Sequence, residues 1–288
     1  MQSTQDTPKA VLVKWKTPED ELVNIARIIG KFKRRRTDKP IRICIGVPNN
    51  AWASQAARSL QMIDIAAVPY MPVRRLEPQT KAALAAMDFL AKQDDESRTA
   101  LIAYGKTAEE CDKLLEQYGN AHGFALLRAT GMKDAKQLHH MMTLLDGDEN
   151  AATISQMARE QLEHPHARED SEEVIIMDYR AINGTFDHLI LVGCVDGMMG
   201  DSAKPADDQA LAAFQDAHKH ATRDFIVSYF TRIDKAVADQ ARINYSRTKT
   251  ENGALLAMSK PTPFLASKAS MRPSTMSGQA LLRSYGIN

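Results

Sequence analysis

Short apolar runs alternate with amphipathic stretches of helical period through the first 70 residues, and that alternation leaves few folds open. The segment Ile41-Arg42-Ile43-Cys44-Ile45-Gly46-Val47 carries one charge in a nearly continuous apolar run, the composition of a strand buried on both faces. Ahead of it, Ala10 to Trp15 reads as a strand, and Thr17-Pro18-Glu19-Asp20 reads as a helix start. That start combines a capping hydroxyl, a proline in the first turn and acids at the positive end of the helix dipole. Leu22, Ile25, Ala26 and Ile29 then recur at three- and four-residue spacing, which gives the helix one buried face. A second helix is expected over 51–62 and a strand near 66–70. Strand, helix, strand, helix, strand predicts an α/β fold built on a parallel sheet flanked by helices.

From Pro72 to about His166 the period is helical, with candidates over 78–92, 108–118, 133–145 and 151–162. β character returns at Glu173–Met177, His188–Val192 and Asp224–Phe230, rich in Val, Ile and aromatics, with a helix over 206–220 between the last two. The expected organisation is therefore a sheet domain from 10–72 plus 168–266, a mostly helical inserted subdomain over 73–167, and a loosely ordered Ser-, Ala- and Met-rich tail over 267–288.

At 288 residues, 44% hydrophobic and 25% charged, the chain buries a real core and is not disordered wholesale. No apolar stretch approaches the ~18 residues of a bilayer span, and Met1 to Asp6 lacks the basic-then-apolar order of a signal peptide. The expectation is a cytoplasmic protein with no membrane partner. Cys44, Cys111 and Cys194 show no CxxC spacing, so they read as buried thiols rather than disulfides or zinc ligands. A net charge of +1 hides an uneven distribution. Residues 1–60 hold 12 Lys and Arg against 5 Asp and Glu, residues 61–228 hold 16 against 28, and residues 229–288 hold 9 against 3. Basic ends around an acidic middle permit local phosphate contacts without requiring them.

Several short patterns carry candidate chemistry. Gly105-Lys106-Thr107 after Ala100 to Ala103 mimics the end of a phosphate loop, but the glycine needed five residues earlier is Ala100. Gly193, Gly197 and Gly200 follow a strand with GxxxGxxG spacing, not the GxGxxG of a dinucleotide site. With Asp196 and Asp201 beside them, they would serve a small-molecule site only if polar groups converged there. His139-His140, His164/His166 and His218/His220 come in pairs that join no cysteine and no HExxH pattern, so no metal site is expected. The run Lys31 to Arg36 reads either as a solvated helix end, where cations favour the dipole, or as a phosphate contact.

The order of these pieces resembles the C-terminal half of UvrD/Rep/PcrA-type superfamily 1 DNA helicases, in which a second RecA-like motor domain is interrupted by a helical accessory subdomain. Glu19-Asp20-Glu21, Ile41 to Val47, Asn49-Asn50-Ala51 and Val68-Pro69-Tyr70 are similar to the opening of that domain. Arg75-Leu76-Glu77 with Ala82 to Ala91 resembles the start of the accessory subdomain. Tyr104-Gly105-Lys106-Thr107, Cys111 to Leu114 and Gly123 to Leu127 resemble its duplex-contacting GIG turn and helix. Gly184 to Gly193 with Asp196-Gly197 looks like the strand after motif V, and Ala221 to Tyr229 like the end of motif VI and its strand. The resemblance spans about residues 10–266.

What it implies is a domain that closes over ATP and tracks single-stranded or forked DNA together with an N-terminal motor domain that these residues do not contain. ATP and magnesium would enter only through that partner domain, and no catalytic residue and no cofactor is expected in this chain alone. Lys33, Arg34, Arg35, Arg36, Arg180 and Lys106 are the candidate DNA contacts. The motif positions are degenerate: Asn183-Gly184-Thr185 replaces the motif V segment and loses its acid, while His220 stands at the motif VI arginine with Arg223 three residues on. Guanidinium forks stabilise charge on a transferring phosphoryl group, so their loss predicts no ATP hydrolysis by this chain. The alternative is a stand-alone, non-catalytic helicase-derived module that binds protein or DNA.

Overall fold

The computed structural model describes residues 8–34, 40–71, 76–138, 141, 145–163, 174–204, 207–265 and 274–287. The chain divides into two compact units, Met1–Tyr70 with Glu169–Asn288, and Met71–Arg168.

The first unit is built on a seven-stranded sheet in the order β10-β1-β6-β5-β2-β4-β3, parallel at every pairing. The strands are β1 Ala10–Trp15, β2 Ile43–Val47, β3 Ala67–Tyr70, β4 Val174–Asp178, β5 Phe186–Leu191, β6 Ala221–Phe230 and β10 Ser274–Ser277. The apolar runs supply the centre: every residue of β2 and β4 is buried, and Ile45 pairs with Ile176 on one side and Ile190 on the other. Helix α1 (Pro18–Lys33) returns from the end of β1 towards the start of β2, burying Leu22, Ile25, Ile28, Ile29 and Phe32. Its expected cap is present, since Thr17 Oγ1 accepts from Asp20 N at 3.2 Å. Helix α2 (Asn50–Gln61) is capped likewise, Asn49 Oδ1 accepting from Trp52 N at 3.1 Å. Gly46 in β2 packs against the end of β5 and the connection from β4, where an added Cβ would lie 2.4 Å from Leu191 Cδ2 and 3.0 Å from Ile182 Cδ1. Only a residue without a side chain allows so close an approach.

Four expectations are corrected, three of them in this unit. The tail is not loosely ordered over its described residues 274–287: β10 pairs with β1 (Val11 with Ser274, Val13 with Met276), and α10 (Gly278–Ser284) follows, capped by Ser277. The signal was weak because Ser-Thr-Met-Ser on an edge strand needs no apolar pattern. The helix expected over 206–220 is α8 (Asp208–Asp216) continued by a 3₁₀ turn, Ala217–His220. Residues 231–260, where no elements were expected, form a second sheet of β7 (Ile233–Asp234), β9 (Ala254–Ser259) and β8 (Tyr245–Glu251), with α9 (Lys235–Gln240) after β7. The β8–β9 hairpin turns through Asn252 and Gly253 at φ 52° and 80°, the Asn-Gly signature of a two-residue turn.

The second unit is helical in its described part: α3 (Pro78–Lys92), α4 (Asp95–Ala103), α5 (Ala108–Tyr118), α6 (Phe124–Ala129) and α7 (Ala151–Glu163). Met87, Leu90, Leu126, Met132, Leu138, Ile154 and Ala158 form its core. No continuous helix spans 133–145 among the described residues. Gly131 at φ 75° and an extended Ala135 break that segment into 3₁₀ turns at Met132–Asp134 and Lys136–Leu138. Among the described residues no helix is long and apolar enough to cross a membrane.

Candidate functional site

In a parallel sheet all strands end on one edge, where ligands commonly gather. At that edge the first turn of α1 turns Glu21 inward. Its carboxylate is fully buried and takes Gly193 N–H on both oxygens, at 3.1 and 3.2 Å. Ser228 Oγ, on β6, donates to Oε1 at 2.5 Å, and Trp15 Nε1 donates to Ser228 Oγ at 2.9 Å. Burial pushes the carboxyl up to about 7, and the Ser228 and Gly193 hydrogen bonds only partly oppose it. Cys194 beside it is buried, and its thiol is pushed well up by burial and by the Glu21 charge.

The loop after Gly193 is tied internally. Asp196 accepts from Ser202 N at 2.9 Å, Ser202 Oγ at 2.5 Å and Asn244 Nδ2 at 3.0 Å, and Thr262 Oγ1 bonds to Met199 O. This loop, Tyr179, Arg180 and the start of α8 wall a cavity of about 550 Å³. Gly193, Gly197 and Gly200 lie there at φ 67°, 91° and 77°. They serve the folding of the loop: a Cβ on Gly197 would sit 2.2 Å from Arg242 O, and one on Gly200 2.6 Å from the Phe264 ring. Arg180 projects into the cavity wall but is held side-on by Asp178, Nε to Oδ1 at 2.8 Å and one terminal nitrogen to Oδ2 at 2.5 Å. Asp201 and Asp207 also line the cavity, and Lys204 pairs with Asp201 at 3.0 Å.

The residues likened above to motifs V and VI lie at the opposite edge, where β5 and β6 begin. Asn183, Gly184 and Thr185 lead into β5, and His220 closes the 3₁₀ turn before β6. His220 Nδ1 lies 2.7 Å from Gly184 O and Nε2 3.8 Å from Asp216 Oδ2. Arg223 is engaged at this edge, its Nε binding Asp187 Oδ1 at 3.1 Å. The other oxygen of Asp187 accepts from Arg42 N at 3.0 Å. Lys219 pairs with Asp216 at 2.5 Å, a bond that holds the Asp216 carboxyl below its usual range. Each described cation here except the Arg42 guanidinium, which lies over the Phe186 ring at 5.1 Å, faces its own carboxylate.

Of the six candidate DNA contacts, Lys33, Arg34 and Arg180 are described in the sheet unit and Lys106 in the helical unit. Lys33 and Arg34 end α1, and Arg34 is exposed. Arg180 lies at the far edge of the sheet. Lys106 belongs to the helical unit, 3.6 Å from Glu110 across the first turn of α5. Arg35 and Arg36 lie outside the described residues, as do Arg75 and the histidines 139, 140, 164 and 166. The resemblance of Gly105-Lys106-Thr107 to a phosphate loop ends with its setting, since helix α4 rather than a strand precedes it and Thr107 caps α5 in a reciprocal box with Glu110. Sequence reasoning missed Glu21, whose acidic first-turn position looks like a solvated dipole partner, and the pairing of Arg180 with Asp178. No family model and no curated protein matches the chain.

Proposed function

We propose that this chain is the C-terminal motor-type domain of a UvrD-like DNA helicase that has lost its own nucleotide contacts. It contributes to unwinding only beside an N-terminal motor domain, retains salt-dependent contacts to DNA of its own, and hydrolyses no ATP by itself. One observation carries the reading: segments that resemble motifs V and VI, distant in sequence, meet at one sheet edge with His220 on Gly184 O. The positions are kept in space while the charge that would serve a phosphoryl transfer is gone, which is how a motor domain relieved of catalysis would look. The parallel sheet and the helical unit entered after β3 agree with the same reading.

The test is ATP hydrolysis by the purified chain with and without single-stranded DNA. Turnover stays at background in both; DNA-stimulated hydrolysis would overturn the reading. A second reading, a stand-alone interaction module, is favoured by a separate observation: Arg180, Arg223 and Lys106 are each matched to Asp178, Asp187 and Glu110. Paired cations offer less to a phosphate backbone, so of the two partners open to such a module, protein or DNA, they favour protein, and no DNA binding is then expected even at low salt.

A further inference from the structure

We propose that Glu21 is a proton-operated latch on the loop after β5, holding Gly193 firmly as a carboxylate and loosely as the neutral acid. The geometry is a buried carboxylate reached only by donors. Gly193 N–H bridges both oxygens, and Ser228 Oγ donates to one of them while receiving Trp15 Nε1. One side chain on α1 thus joins β1, β6 and the loop that walls the 550 Å³ cavity. No charged partner offsets it. Ser228 and Trp15 do not titrate, the titratable group facing it from the loop is the Cys194 thiol, which burial keeps protonated, and no Lys, Arg or His of the described residues enters its electrostatics. The positive end of α1 favours the anion, but only through the helix dipole.

Both protonation states can be hydrogen-bonded. As the acid, Glu21 can donate to Ser228 Oγ, which has a lone pair left beside the Trp15 bond, in exchange for the bond that the Ser228 hydroxyl donates to the carboxylate. What changes is the strength of the bond to Gly193, because a neutral carbonyl is a weaker acceptor than a carboxylate.

Two readouts then move in opposite directions. The carboxyl is raised from 4.5 to about 7, so the folded state binds the proton more tightly than the unfolded chain does. Global stability is therefore full below about 4.5 and is lost as pH rises through about 7. The clamp on Gly193 strengthens over the same rise.

The experiment is native-state hydrogen exchange on the whole chain, with urea unfolding in parallel, across about pH 5 to 8. The expected result is that protection of the Gly193 amide, taken relative to Ile190 within the sheet, falls about tenfold from the top to the bottom of that range, while the urea midpoint rises. Glu21→Gln, a neutral near-isostere, makes both readouts flat, with Gly193 at its low-pH value. Ser228→Ala removes a bond that favours the anion and moves both transitions to higher pH. Should Glu21→Gln not fold, the wild-type titration and Ser228→Ala decide the matter. Constant relative protection of Gly193 in the wild type, or an unchanged pH response in either variant, overturns the latch.

Discussion

His220 Nδ1 sits 2.7 Å from the carbonyl oxygen of Gly184, joining segments 36 residues apart where β5 and β6 begin. Gly184 is at φ 82°, a conformation that a glycine adopts without strain and that turns its carbonyl to this partner. The imidazole is thereby spent on the backbone, and Arg223 is spent on Asp187. An edge organised this way holds itself together rather than reaching outward.

Asp187 is the hub of that edge, since one oxygen takes Arg223 and the other takes Arg42 N. Arg223→Ala removes a half-exposed ion pair and costs less than about 1 kcal/mol. Asp187→Ala also strands a backbone donor and costs more, about 1–2 kcal/mol. Urea unfolding of the two variants checks the order.

The C-terminal helix is docked by a missing side chain. A Cβ on Gly278 would lie 2.1 Å from Trp15 Cε3, against a ring that is buried and held by its bond to Ser228. Gly278→Ala is expected to displace α10 and cost about 2 kcal/mol or more, read as a lower melting temperature with altered Trp fluorescence.

Acid acts on the helical unit in the sense opposite to its action on Glu21. Asp94 accepts from Ser97 Oγ at 2.6 Å and Ser97 N at 2.8 Å, and Glu110 accepts from Thr107 N at 2.8 Å. These bonds hold both carboxyls below their usual range, the Ser97 hydroxyl first for Asp94 and the Thr107 amide first for Glu110. A depressed folded value means stability present at neutral pH and lost as pH falls through that value. The amides of Ser97 and Thr107 should lose protection at acidic pH before the sheet does, measurable by NMR exchange.

Arg180 offers a test of how far pairing silences a cation. Asp178→Asn frees the guanidinium, so single-stranded DNA should bind severalfold more tightly at low salt, with about one more phosphate contact in the salt slope. Arg180→Gln should weaken binding. Equal affinities for both variants would remove Arg180 from any DNA surface.

The central strands were legible because β2 and β4 are nearly continuous apolar runs, and the start of α1 because Thr17-Pro18-Glu19 is a local signal. β10 was not, since its four residues owe their conformation to pairing with β1 rather than to their own pattern. Asn252-Gly253 could have announced the β8–β9 hairpin. The site itself was hardly legible: Glu21 meets Gly193 and Ser228 across sequence separations of 172 and 207. Arg180 looked available because a charge two residues away on Asp178 folds back only through a 3₁₀ turn.

The most direct test of a helicase-type role is fluorescence anisotropy of single-stranded and forked DNA titrated with the whole chain at low and at physiological salt. The account predicts binding at low salt that weakens steeply as salt rises, as phosphate contacts release counterions. No binding at low salt would contradict it and leave the stand-alone interaction module.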